Sequence, residues 1–171
     1  MNGVETLMRV SANFAPLQLR GNPQMIGPKE ILWGDAGLTV RTVRGRKMRA
    51  SIDLFDEVAA ALQFPEYFGE NWDAFDECIA DLSWLPPGAG YVVVITEPDQ
   101  ILLEGTAEEL KIWVSALKSA FEEFSQTVAL GERWDRLPIP FHVVLAGEDK
   151  ALTLAADRWS AAGADVKELP E

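Results

Sequence analysis

Two apolar, β-branched runs, Tyr91–Thr96 (YVVVIT) and Phe141–Ala146 (FHVVLA), constrain this chain more than any other feature. A strand with one wet face alternates apolar and polar residues. Tyr91–Thr96 is a continuous apolar run, the mark of a strand buried on both faces, and Phe141–Ala146, apolar but for His142, is a second buried-strand candidate. Between the two runs lies the clearest helical stretch, Thr106–Phe124. Its Leu110, Trp113, Val114, Leu117, Phe121 and Phe124 recur at helical spacing, and Thr106 with Glu109 has the spacing of a capping box. Apolar strands separated by helices argue for an α/β fold with a parallel sheet.

The rest of the chain fits that frame. Leu38–Val43 (LTVRTV) is a third strand candidate, ending at a turn near Gly45. Ser51–Leu62 predicts a helix with Leu54, Phe55, Val58, Ala59 and Leu62 on one face, stopped before Pro65. Trp72–Leu82 predicts a second helix, and Ser125–Pro140, with two prolines, a loop. Asp149–Ala162 predicts a last helix with Gly163 as its stop, and Asp165–Leu169 a short edge strand. Residues 1–37 are rich in Gly and Pro and read as an N-terminal extension with short extended pieces. The expected organisation is an extension over 1–37, a core domain over 38–146, and a helix and tail over 147–171 packed on the same domain.

Composition removes several classes of function. A single cysteine, Cys78, excludes a disulfide framework and a cysteine-based zinc cluster, and a single histidine, His142, excludes a His-rich metal site. Both are expected to be packed residues, Cys78 on the inner face of a helix and His142 in an apolar strand. No apolar run suits a signal peptide or a membrane span, so the expected setting is cytoplasmic, without a membrane partner. The basic run Arg41, Arg44, Arg46, Lys47 and Arg49 reads as a solvated turn surface. The net charge of −12 argues against nucleic acid as a partner.

That charge is concentrated. Residues 51–110 hold fourteen Asp and Glu and no Lys, Arg or His. On the helix after Asn71, a plausible N-cap, the residues Trp72, Phe75, Cys78, Ile79 and Leu82 share one face. Asp73, Asp76, Glu77, Ala80 and Asp81 share the other. Asp73/Glu77 and Glu77/Asp81 are like-charge pairs four apart, and Asp73/Asp76 is one three apart. Each costs about 0.2–0.5 kcal/mol. A helix needing only solubility would mix signs. This one repels nucleic acid and attracts basic protein surfaces. Of the preceding aromatics, Trp72 is expected to pack inward, and Tyr67 or Phe68 to stand out as an interface anchor.

Phe64–Trp84, FPEYFGENWDAFDECIADLSW, resembles the signature of the barstar family, the intracellular inhibitors of barnase-type ribonucleases. The shared pattern is the loop Tyr67-Phe68-Gly69, then Asn71, then Asp73-Ala74 at the helix start, then Glu77-Cys78. The resemblance covers about 38–146. It implies a barstar-like α/β fold, with a small parallel sheet of about three strands packed with helices. It also implies a loop and helix that plug a nuclease active site, with carboxylates standing in for substrate phosphates. The implied partner-binding residues are Tyr67, Phe68, Gly69, Asn71, Asp73, Asp76, Glu77, Ala80 and Asp81. Glu77 stands where the prototype has Asp, Asp76 where it has Trp, and Ala80 where it has Thr. Glu108, Glu109, Glu122 and Glu123 have no assigned role.

The expected function is therefore a non-enzymatic immunity or antitoxin-type inhibitor of a small basic ribonuclease or nuclease toxin, with no cofactor and no metal. Oligomeric state is not legible. One alternative is a regulatory protein-binding module with the same fold and a non-nuclease partner. Another is an enzyme in which Asp73 and Glu77 share a metal such as Mg²⁺. The chain offers that enzyme no second constellation for a nucleophile or base.

Overall fold

The computed structural model describes residues 2–171. Its centre is a five-stranded sheet, all parallel, in the order β2-β3-β4-β1-β5. The strands are β1 (Leu17–Arg20), β2 (Thr39–Arg44), β3 (Tyr91–Thr96), β4 (Phe141–Gly147) and β5 (Lys167–Glu168). The helices are α1 (Gly3–Leu7), α2 (Pro23–Asp35), α3 (Ser51–Leu62), α4 (Trp72–Asp81), α5 (Ala107–Phe124) and α6 (Asp149–Ala161).

The two apolar runs are the middle of the sheet. Tyr91 pairs with Phe141 and the register runs through to Thr96 with Ala146. Alternate residues then enter different cores. Tyr91, Val93, Ile95, Phe141, Val143 and Leu145 meet the larger core, built with α3, α4, α5 and α6. Val92, Val94, Val144 and Ala146 meet a smaller one, closed by Leu7 of α1 and by Ile26 and Trp33 of α2. Helices thus cover both faces, which is why neither strand alternates with polar residues.

The sheet has five strands against the expected three or so. Beyond those three, β5 lies within the edge strand expected over Asp165–Leu169, and β1 is one of the short extended pieces expected in residues 1–37. β1 adds beside β4, with Leu17 opposite Val144, and β5 adds beside β1, with Leu17 opposite Lys167. Residues 1–37 also carry two helices where short extended pieces were expected. α2 contains Pro23, Gly27, Pro28 and Gly34, a composition that disfavours helix. Asn22 caps its first turn by accepting from the Met25 N–H at 3.1 Å, and Pro23 sits in that turn. Burial of Ile26 and Trp33 supplies the rest. Asn22-Pro23 was the available signal.

His142 is buried on the α1–α2 side, opposite Val92 in register, and its Nε2 bonds the Arg9 carbonyl at 2.9 Å. Burial pushes its pKa down, and the carbonyl only partly opposes that. Cys78 is buried, and its thiol pKa is raised first by that burial, then by the nearby charges of Asp81 and Glu77. Both are packed residues, as expected. Among the described residues no helix is long and apolar enough to cross a membrane.

Candidate functional site: the acidic helix and its loop

α4 is held by aromatic rings underneath it. Trp72 meets Phe55 of α3 edge-on at 4.9 Å between centroids, and Phe75 lies 5.7 Å from Trp72 and 5.6 Å from Trp113 of α5. Phe75, Cys78 and Ile79 are buried. The apolar stripe read from the sequence is the stripe that docks. Leu82 ends the helix in the left-handed conformation, and its carbonyl accepts from the Tyr91 hydroxyl at 3.1 Å. The same hydroxyl also lies against the Leu85 carbonyl. Burial, the dominant cause, pushes the Tyr91 pKa up to about 12, so the phenol stays a donor. β3 thereby fixes the carboxyl end of the acidic helix.

Asn71 fixes the other end. Its Oδ1 accepts from the Ala74 N–H at 2.9 Å, and its Nδ2 donates to the Gly69 carbonyl at 3.2 Å. One side chain caps the helix and ties down the loop before it. Phe68 turns inward, with its ring 5.1 Å from Phe64 and 5.9 Å from Phe55. Tyr67 turns outward and is 76% exposed. Of the expected pair, Tyr67 is the free aromatic and Phe68 the internal support. Glu70, between them and the helix, has φ of 50°, a region that non-glycine residues rarely enter.

Gly69, Asn71, Asp73, Asp76, Glu77 and Asp81 are exposed, whereas Ala80 is half-buried and packs against the core. Among the described residues no ion pair involves any α4 carboxylate. Asp73 and Asp76 border a crevice of about 380 Å³ against α5, with Glu108 and Lys111 opposite them. Sequence left Glu108 unassigned; packing of α4 on α5 brings it to the acidic face. Glu109 is used elsewhere, since its carboxylate accepts from the Thr106 N–H at 2.8 Å in the capping box. Lys111 is a cation that the acidic count over 51–110 did not reveal, because it is the next residue. Among the described residues no three His, Cys, Asp or Glu side chains are grouped to hold a metal ion.

The basic run is solvated, with Arg44, Arg46 and Lys47 exposed, and three of its arginines also find partners within the chain. Arg44 holds Glu57 through its Nε at 2.7 Å and its Nη2 at 3.0 Å. Arg46 pairs with Glu97, and Arg49 lies 3.8 Å from Glu104. The Arg44 hydrogen bond holds the Glu57 carboxyl below its ordinary pKa. Gly45 allows this close packing, since a Cβ there would stand 1.8 Å from the Glu97 carbonyl oxygen. The acidic window is thus neutralised at Glu57, Glu97 and Glu104, toward both its ends, and left without ion pairs along α4 among the described residues.

A sequence model of the family described as Barstar (barnase inhibitor) matches residues 38–146. No curated protein matches the chain. Among solved structures, Cdc6p from Pyrobaculum aerophilum is similar over 97% of this chain and 42% of its own, with 16% identity and a TM-score of 0.56. The ORC2 protein of Aeropyrum pernix, solved in ADPNP-ADP complexes, is similar over 98% of this chain and 46% of its own, with 15% identity and a TM-score of 0.51. The chain spans less than half the length of either, and at such identity the likeness is one of fold.

Proposed function

The chain belongs to the barstar family, and we propose that it is a protein inhibitor that blocks the active site of a basic ribonuclease with α4 and the loop before it. The observation that carries this reading is the uncompensated charge. Asp73, Asp76, Glu77 and Asp81 stand exposed without a cation partner among the described residues, on a helix fixed at both ends. A rigid anionic ridge suits a site built to bind phosphates, because carboxylates can take the phosphate positions without chemistry following. Tyr67 is the aromatic anchor, and Glu108 extends the ridge onto α5. The inhibitor acts without a cofactor and without catalysis of its own.

Glu77 reaches one methylene further than Asp would, so it enters a deeper or more open pocket. Asp76 adds charge where the family prototype has an aromatic ring. The interface is accordingly more electrostatic, and its association rate falls as salt rises. Lys111 lies within the ridge and favours the second reading, a non-nuclease partner whose own charge is mixed.

The test is inhibition of barnase-type ribonucleases, including those of the host, by wild type and by the Asp73→Ala/Glu77→Ala variant. Stoichiometric inhibition by wild type, lost in the variant and weakened by salt, supports the proposal. Inhibition equal in both moves the interface away from α4. No loss of ribonuclease activity with excess wild-type protein leaves the regulatory module as the better reading.

A further inference from the structure

A second concavity, away from the acidic helix, opens at the carboxyl ends of the strands. It has a volume of about 560 Å³ and lies between Gly21 after β1, Thr96 at the end of β3 and Gly147 at the end of β4. In this sheet the chain leaves β1 through α2 toward β2 on one flank, and leaves β4 through α6 toward β5 on the other. α2 belongs to the smaller core and α6 to the larger, so these connections run over opposite faces. The adjacent pair β1/β4 is therefore the switch point of the sheet, where diverging connections leave a gap that side chains of neither helix close. Gly27 of α2 lines the gap, and a Cβ built there meets nothing within 4 Å.

The lining names a chemistry. Ile26, Ala151 and Leu154 make an apolar wall, and Leu154 is 46% exposed with nothing over it. Most charges at the mouth are already engaged. Arg46 pairs with Glu97, Arg44 with Glu57, and Glu30 accepts from the Thr42 hydroxyl. Among the described residues, Lys150 and Glu148 make no side-chain ion pair or hydrogen bond. Lys150 lies in the first turn of α6, whose N–H groups receive no side-chain cap. One cation beside uncapped donors selects one anion. Glu148 remains an acceptor for a hydroxyl or amine. A polyphosphate does not suit the site. The segment Gly21–Glu30, GNPQMIGPKE, lacks the Lys-Ser/Thr of a phosphate loop and enters its helix at a proline.

We propose that this crevice binds a small amphipathic molecule with one anionic group and a hydroxyl or amine donor. Its anion sits at Lys150 and its apolar body lies against Ile26, Ala151 and Leu154. The crevice shares no residue with Tyr67–Asp81, so the proposal stands apart from the inhibitor reading. The volume is that of an ordinary small-ligand site.

The test is amide NMR titration of the full chain with adenosine monophosphate, 3-hydroxyoctanoate and inorganic phosphate. Saturable shifts at Gly21, Gly147 and Ala151 are expected with one or both organic probes, at an affinity of about 10 µM to 1 mM. A response to one alone identifies the nucleoside or the acyl source. Lys150→Gln and Leu154→Asp, both at exposed positions, should each weaken binding roughly tenfold, and Lys118→Gln on α5 should not. Three outcomes overturn the proposal: no saturable shift up to about 10 mM, phosphate alone binding as tightly as the organic probes, or affinities unchanged in the α6 variants.

Discussion

The carboxylates of the acidic window fall into two groups that the sequence does not separate. Glu57, Glu97 and Glu104 each face an arginine, with Glu57 gripped by two nitrogens of Arg44. Asp73, Asp76, Glu77 and Asp81 face solvent on one helix, without a paired cation among the described residues. The difference teaches how to sort charge by purpose. An acid that meets its partner within the chain serves the fold. A row of acids held rigid and unpaired weakens the fold slightly, and under the inhibitor proposal its partners are cations of another protein.

The strongest way to break the contrast is to remove the platform. Phe75→Ala deletes a fully buried ring that touches Phe55, Phe64, Trp72 and Trp113. It should cost about 3–5 kcal/mol in urea unfolding and abolish ribonuclease inhibition, because α4 loses its seat. A reciprocal pair of variants sharpens the contrast. Glu77→Gln should weaken binding to the inhibited ribonuclease by about 2–5 kcal/mol in calorimetry. By relieving its like-charge pairs with Asp73 and Asp81, the same change should raise stability by about 0.4–1 kcal/mol. Glu57→Gln should do the reverse, lowering stability and leaving affinity unchanged. Equal effects from the two would erase the distinction. Tyr91→Phe, which frees the carboxyl end of α4, should cost about 1 kcal/mol of stability, with a comparable loss of affinity.

The smallest effects are those of pH. The folded-state pKa of His142 is depressed by burial, so its contribution is complete above the ordinary histidine value of about 6.5 and is lost as pH falls below it. Glu57 is also depressed, by Arg44, so its contribution is complete above about pH 4.3 and is lost as pH falls through its folded value. Thermal unfolding across pH should show two acid steps. His142→Leu should remove the upper one, and Glu57→Gln should shrink the lower, to which the depressed Asp135 and Glu168 also contribute. A single step in wild type would show that other groups carry the acid limb.

Much of this molecule is legible without coordinates. The runs Tyr91–Thr96 and Phe141–Ala146 are strands because burial on both faces suits five successive apolar residues in the first and five of six in the second, where His142 is the one polar side chain. α4 and α5 appear where spacing and caps place them, since Asn71 and Thr106 act within their own first turns. Helix α2 was not legible. Its prolines and glycines argue against helix locally, and what favours it is a sheet face elsewhere in the chain that needs covering.

The candidate site divides along the same line. The sequence by itself determined which residues are acidic, that they share one face of a helix, and that Asn71 starts that helix. These follow from composition and a period of 3.6 residues. Only the tertiary structure decided that Glu108 and Lys111 stand beside Asp73 and Asp76, that Arg44, Arg46 and Arg49 neutralise Glu57, Glu97 and Glu104, and that connections running over opposite faces open a crevice at β1/β4. The reason is range. Caps and amphipathic faces are set by residues three or four apart, whereas these meetings join side chains from different elements, which come together only once the sheet and its helices have packed.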